Sequence, residues 1–202
     1  MLDDFLRRLK DRLLWPVARA LGARLSPSTI TVIAFVVGVA AAGAAALSLV
    51  GWSVGLWLAN RLVDGLDGTQ ARVHALQSDF GGYLDILLDF IVYAAVPLGL
   101  IVAEPRLAVA GAVLQATFFV NAASWMYLAA ILERRQAGAA TTGELTTVTM
   151  PPGVVAGTET IILFTLMLAW PAARGILFWT MSALVGVNVV QRLWWARYHL
   201  GD

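Results

Sequence analysis

The stretch VDGLDGTQARVHALQSDFGGYLDILLDF, from Val63 to Phe90, decides how this chain is read. It carries five aspartates, Asp64, Asp67, Asp79, Asp85 and Asp89, in surroundings that are otherwise strongly apolar. Asp64 and Asp67 are three residues apart and share one helix face; Asp85 and Asp89 are four apart and share another. The connection between them, about Val73 to Phe80, is short enough to make the two helices antiparallel neighbours. The two carboxylate pairs are therefore expected to converge, with Leu84, Ile86, Leu87 and Leu88 wrapping the second pair in apolar surface. Carboxylates that meet in a low dielectric repel one another and require protons or cations. Hard oxygen ligands suit magnesium or manganese, and carboxylate-held magnesium commonly meets phosphate. Gly65, Gly68, Gly81 and Gly82 allow a backbone or a bulky ligand to come close. Arg72 stands where it can clamp a phosphate oxygen.

Outward from this stretch, the chain has 202 residues, 59% hydrophobic and 13% charged. That apolar excess exceeds the globular norm and points to one polytopic α-helical membrane domain. Six apolar segments of spanning length are expected. The first covers Ser28 to Val50 and a short turn at GWS follows it. The second covers Val54 to Arg72, the third Phe80 to Ala103 and the fourth Leu107 to Leu132. The fifth starts near Val154, and the sixth ends near Trp195. The second is the least hydrophobic, at its end. The first 25 residues place Leu2, Phe5, Leu9, Leu13 and Val17 at helical spacing among basic residues, which predicts an amphipathic helix lying in the membrane surface. The division is then 1–25 for this interfacial helix and 26–197 for a six-helix transmembrane bundle. The N-terminus lacks the continuous apolar core of a signal peptide.

Basic residues set the orientation. Arg7, Arg8, Lys10, Arg12, Arg19, Arg24, Arg61, Arg72, Arg134, Arg135, Arg192 and Arg197 fall on one side of a six-span bundle, and only Arg106 and Arg174 on the other. By the positive-inside rule both termini face the cytoplasm. The absence of cysteine excludes disulfides, thiolate metal sites and a thiol nucleophile. A net charge of +1 with no dense basic run gives no reason to expect nucleic acid. Gln136 to Val154 is the longest polar stretch and is expected to be irregular.

Asp79, beside Ser78, reads as a helix cap. The other four aspartates do not reduce to caps, because intramembrane carboxylates are costly and usually functional. Their pattern, D-x2-D-G-x2-A-R-x8-G-x3-D-x3-D, resembles the signature of the CDP-alcohol phosphotransferase family at all eight fixed positions: Asp64, Asp67, Gly68, Ala71, Arg72, Gly81, Asp85 and Asp89. The family's build, a surface helix followed by six spans with the motif on the second and third, is similar too. The resemblance implies a phospholipid-synthesising transferase of a bacterial inner membrane. It would move a phosphatidyl group from CDP-diacylglycerol or a similar CDP-alcohol to a hydroxyl acceptor and release CMP. Implied metal ligands are Asp64, Asp67, Asp85 and Asp89, holding two magnesium or manganese ions, with Asp89 also the general base. Gly68, Ala71, Arg72, Ser78 and Gly81 are implied donor contacts. So, on a shorter match, are Pro27, Ser28 and Thr29 of SPST. Homodimers are common in the family.

The acceptor is not written in the motif: glycerol 3-phosphate, inositol phosphate, serine and a lipid hydroxyl all fit. Arg134, Arg135 and Arg192 would suit a phosphorylated acceptor and equally suit topology. Glu159 reads as an ordinary acid at a helix start, with contact to a hydroxyl-rich or cationic acceptor as the alternative. DILLDF departs from the DPxADK pattern of phosphatidylglycerophosphate synthases. Asn60 divides evenly between supporting the site and packing, His74 reads as a solvated loop residue, and Trp52, Trp57, Trp170, Trp179, Trp194 and Trp195 read as an aromatic belt. Two other classes compete: an Asp-rich, magnesium-dependent intramembrane prenyltransferase and a metal-ion transporter. The first usually carries two separated motifs in a longer chain; the second does not explain the fixed Gly and Ala-Arg positions.

Overall fold

The computed structural model describes residues 2–137, 153 and 155–200, with the side chains of 2–11 and of Ala23 outside that description. All regular structure among them is helical: α1 (Leu2–Leu21), α2 (Pro27–Ala46), α3 (Val50–His74), α4 (Asp79–Ala103), α5 (Ala108–Arg134), α6 (Gly157–Ala169) and α7 (Arg174–Leu200). Single 3-10 turns lie at Gly22–Arg24, Pro105–Leu107 and Pro171–Ala173. Four helices are long and apolar enough to cross a membrane: α2, α4, and α5 and α7 with their leading turns. α6 is apolar but has 13 residues, about 20 Å of helix against a layer of roughly 30 Å. α3 has length, 25 residues, but Arg61, Asp64, Asp67 and Arg72 interrupt its apolar surface.

Several expected boundaries move. The first turn falls at Leu47–Leu49 and not at GWS: Ser48 adopts a left-handed φ of 58°, and Leu49 N–H closes onto the Ala44 carbonyl at 2.9 Å. Gly51, Trp52 and Ser53 are already helical. α6 begins at Gly157, not Val154, because Asn188 grips the preceding backbone. Its side chain accepts from Val155 N at 3.0 Å and donates to Val155 O at 2.7 Å. Of the polar stretch Gln136–Val154, residues 138–152 and 154 lie outside the described set.

α2 is the hub, packed against both α3 and α4. Its GVAAAGAAA sequence carries no side chain longer than valine from Gly38 to Ala46, which lets neighbouring backbones approach. A Cβ on Gly38 would lie 2.6 Å from Val92 of α4 and 2.9 Å from the Asn60 amide of α3. One on Gly99 of α4 would run into the Ala42 carbonyl. α5 pairs with α7, while α6 bridges α3 and α7. The shared core runs through Trp57, Val92, Val96, Leu100, Leu114, Phe164, Phe178 and Met181. Trp57 is thus no belt residue. It is fully buried, stacked on Phe164 and bonded through Nε1 to Thr165 Oγ1 at 3.1 Å.

Three basic residues counted as topological markers lie inside the bundle: Arg61, Arg174 and Arg192 are at most 8% exposed. Without them the tally is ten against one, with its sign unchanged. Arg174 closes the end of the bundle away from the aspartate motif. It donates to the carbonyls of Met167 at 3.0 Å and Leu168 at 3.3 Å, and pairs with Glu104, whose carboxylate also holds Arg106 at 2.7 Å.

Candidate active site

The motif occupies the end of α3 and the start of α4. Ala75 at φ 53° terminates α3, its cap backed by the Leu76 N–H to Ala71 O bond of 2.9 Å. Ser78, in extended conformation, caps α4 by accepting from Gly81 N at 3.1 Å. The cap is therefore Ser78, and Asp79 is the first helical residue, where a negative charge meets the positive end of the helix dipole.

This hairpin brings Asp64, Asp67 and Asp85 together: one carboxylate oxygen from each lies within 4.8 Å of the others. Asp67 is 7% exposed, and its Oδ2 accepts a 2.6 Å hydrogen bond from Thr31 Oγ1 of α2. Asp89, one turn further along α4, accepts from Arg61 Nη2 at 2.8 Å. The same guanidinium lies 3.8 Å from Asp64. Three carboxylates in a partly buried pocket, with oxygen donors only, form a donor set that fits a divalent cation. They are three of the four carboxylates expected from the helical spacing to converge; the fourth, Asp89, shares the Arg61 guanidinium with Asp64.

The SPST segment reaches this site. Ser26 caps α2, accepting from Thr29 N at 3.1 Å and exchanging a 2.8 Å bond with Thr29 Oγ1, while Pro27 takes the first helical position. Pro27 O receives Thr31 Oγ1 at 3.0 Å. Gln70 holds the preceding turn in place, donating to Gly22 O at 2.7 Å and Leu25 O at 3.1 Å. As a result Ser28 Oγ and Ser78 Oγ flank Gly81, 3.9 and 3.0 Å from where its Cβ would be. Arg72 folds back over Gly68, whose missing Cβ leaves Nη1 room at 3.2 Å. Ala71 shares that last turn of α3.

The suggested acceptor residues have local partners. Arg192 donates to Asn121 Oδ1 at 3.0 Å and lies 3.4 Å from Ser124 Oγ, both on α5; its Nε is buried without a protein partner. Arg135 ends α5 with a 3.5 Å bond to Leu200 O, and Arg134 is exposed beside it. Glu159 accepts from Ala156 N at 3.0 Å, closing the start of α6. His74 is not solvated: it is half-buried, and its Nε2 meets Ala18 O of α1 at 3.2 Å. Asn60 packs on α2, donating to Ala34 O at 2.8 Å, and accepts from Arg61 Nε at 2.7 Å. Sequence reasoning missed Thr31 and the inward turn of Arg61. Only the four-residue helical step from Pro27 could have flagged Thr31, and Arg61 read as a topological charge.

With this geometry in hand, comparison with known proteins is informative. Inner membrane protein YnjF of Escherichia coli K12 is 36% identical over 199 residues, covering 96% of this chain and 94% of its own. The bifunctional IPC transferase and DIPP synthase of Thermococcus kodakarensis is 33% identical over 88 residues, 43% of this chain and 20% of its own length. Phosphatidylinositol phosphate synthase PgsA1 of Mycobacterium tuberculosis, solved with CDP-DAG bound, superposes with a TM-score of 0.71 at 23% identity. That match covers 90% of this chain and 92% of the other. The same enzyme with manganese and citrate gives 0.69 at 22%, over 89% and 87%; both are likenesses of fold. The profile of the CDP-alcohol phosphatidyltransferase family matches residues 24–191, the eight fixed motif positions included, and the chain belongs to that family.

Proposed function

We propose that this protein transfers a phosphatidyl group from CDP-diacylglycerol, or a closely similar CDP-alcohol, to a hydroxyl acceptor and releases CMP. The observation that carries the reading is the Asp64, Asp67 and Asp85 cluster at the junction of α3 and α4 in a chain of this family. The PgsA1 structures with CDP-DAG and with manganese support donor and metal by analogy of fold. Nothing favours a prenyltransferase or a transporter.

In this reading Asp64, Asp67 and Asp85 hold magnesium or manganese, with Asp89 contributing to a second ion. A cation there would supply charge neutralisation for the pyrophosphate and for the departing CMP. The chain's own groups do the rest. Thr31 fixes the orientation of Asp67. Arg72, folded over Gly68, is placed to grip a phosphate oxygen. Ser28 and Ser78, whose hydroxyls flank Gly81, are the donor contacts in this reading, together with Pro27, Thr29, Gly68 and Ala71. Asp89 takes the proton as the acceptor oxygen attacks the donor's β-phosphorus in line and the bond to CMP breaks. Arg134, Arg135, Arg192 and Glu159 are the candidates for choosing the acceptor.

The membrane arrangement belongs to the same reading. α3 and α6 complete six spans with the four apolar helices. α1 lies in the membrane surface, its exposed Leu13, Trp15 and Val17 towards lipid. Both termini and the site face the cytoplasm of a bacterial inner membrane in this reading, which the bias of the remaining basic residues supports, and the family's homodimer is adopted with it.

The test is CMP release by purified protein from CDP-diacylglycerol, against a panel of polyol phosphates, amino alcohols and lipid hydroxyls, with mass spectrometry of the lipid product. Magnesium-dependent CMP release with one acceptor supports the proposal. Magnesium flux into vesicles without CMP release sinks it.

A further inference from the structure

Arg61 has no part in the reaction as described above, yet its surroundings are those of a built site. It lies in α3 with 8% of its surface exposed, and each guanidinium nitrogen has a partner. Nε donates to Asn60 Oδ1 at 2.7 Å, Nη1 to Tyr93 Oη at 2.9 Å and Nη2 to Asp89 Oδ1 at 2.8 Å. The rings of Trp57 and Tyr93 lie 4.8 and 5.0 Å from its Cζ. These partners are themselves anchored, Asn60 on Ala34 O of α2 and Trp57 on Thr165 of α6. The guanidinium cannot swing without disturbing α2, α4 and α6 together.

That rigidity has a direction. One N–H is aimed at Asp89, and the positive charge stands 3.8 Å from Asp64 at the edge of the three-carboxylate cluster. We infer that Arg61 is a positioning residue for Asp89. It clamps Oδ1 by a charge-assisted hydrogen bond and so fixes the plane in which Oδ2 meets the acceptor hydroxyl, while its charge tempers cation binding by the adjacent aspartates. The inference rests on Asp89 as proton acceptor. It predicts effects of opposite sign: losing Arg61 strengthens cation binding and slows turnover, whereas a residue that only holds the fold would weaken both.

The experiment uses Arg61→Gln, Arg61→Lys and Tyr93→Phe in the full chain, purified into nanodiscs. Manganese affinity is read by electron paramagnetic resonance without substrate. CMP release from CDP-diacylglycerol is measured with the acceptor the wild type uses. Arg61→Gln is expected to bind manganese about 10-fold tighter. Its kcat should fall about 100-fold, with the donor KM within about 2-fold of wild type. Arg61→Lys should keep the wild-type manganese affinity and restore kcat only in part, since one ammonium cannot serve Asp89, Tyr93 and Asn60 at once. Should Arg61→Gln not fold, Tyr93→Phe decides, with kcat expected about 10-fold lower at unchanged manganese affinity. Unchanged or weaker manganese binding, or wild-type kcat, in Arg61→Gln overturns the assignment; so does wild-type kcat in Tyr93→Phe. If the wild type releases no CMP with any acceptor, the proposed reaction fails, and the manganese titration alone judges the charge of Arg61.

Discussion

Two arginine-centred ion clusters sit at opposite ends of the bundle, and they differ in the balance of sign. At one end a single acid, Glu104, lies between Arg106 and Arg174, and every nitrogen of the buried Arg174 guanidinium has an acceptor. At the other end Arg61 lies against Asp64 and Asp89, with Asp67 and Asp85 beside them. The first cluster is closed: its one acid is held by two bases and the buried guanidinium is satisfied by carbonyls, and it ties the end of α4 to α6 and α7. The second carries more acid than base, so it attracts cations and, through them, phosphate. Burial raises the stakes at both ends. A surplus of acid at only one of them separates the site from the clamp.

Breaking each cluster should therefore cost different things. Asp85→Asn removes one carboxylate from the surplus. CMP release should fall on the order of 1000-fold, while thermal stability holds or rises because repulsion is relieved; a drop in stability matching the loss of activity would erase the distinction. Glu104→Ala should do the reverse. It strands the Arg174 guanidinium and should cost about 3 kcal/mol of stability, read by thermal unfolding in detergent, with the CMP release of folded protein at the wild-type level. Thr31→Val sharpens the comparison from inside the site. Losing the bond to Asp67 should weaken manganese binding about 10-fold, and an unchanged affinity would show that Asp67 needs no such support.

The smallest effect concerns pH. Partial burial alone would raise the pKa of Glu104, but hydrogen bonds from Arg106 and Arg174 outweigh it and hold the carboxylate below its ordinary value of 4.5. A carboxylate depressed in the folded state contributes stability that is complete above its unfolded pKa and disappears as pH falls through the folded one. Unfolding temperature should thus decline as pH drops below about 4.5, and Glu104→Gln should lose that part of the decline. A pH profile identical in both proteins would remove Glu104 from the account.

Much of the site was legible because it is local. The i,i+3 step of Asp64 and Asp67 and the short loop to Asp85 fix that cluster through helix geometry alone. Arg61 was misread for the opposite reason. From its neighbours in sequence it is one more cytoplasmic charge, and only Tyr93 and Asp89, about thirty residues away, make it an internal counter-charge. Trp57 was misread likewise, since its place in the core depends on Phe164 and Thr165. The boundary near Val155 turned on Asn188, a residue on another helix.

The amino-acid sequence by itself determined a helical membrane chain, the hairpin that carries the aspartates and the family to which they belong. Hydropathy, helical periodicity and loop length act over a few turns and need no distant partner. The tertiary structure decided which carboxylates meet a buried arginine and which arginines turn inward. Those outcomes depend on small residues of α2 letting α3 and α4 close in, and on buried polar groups finding partners far along the chain, where water cannot serve them.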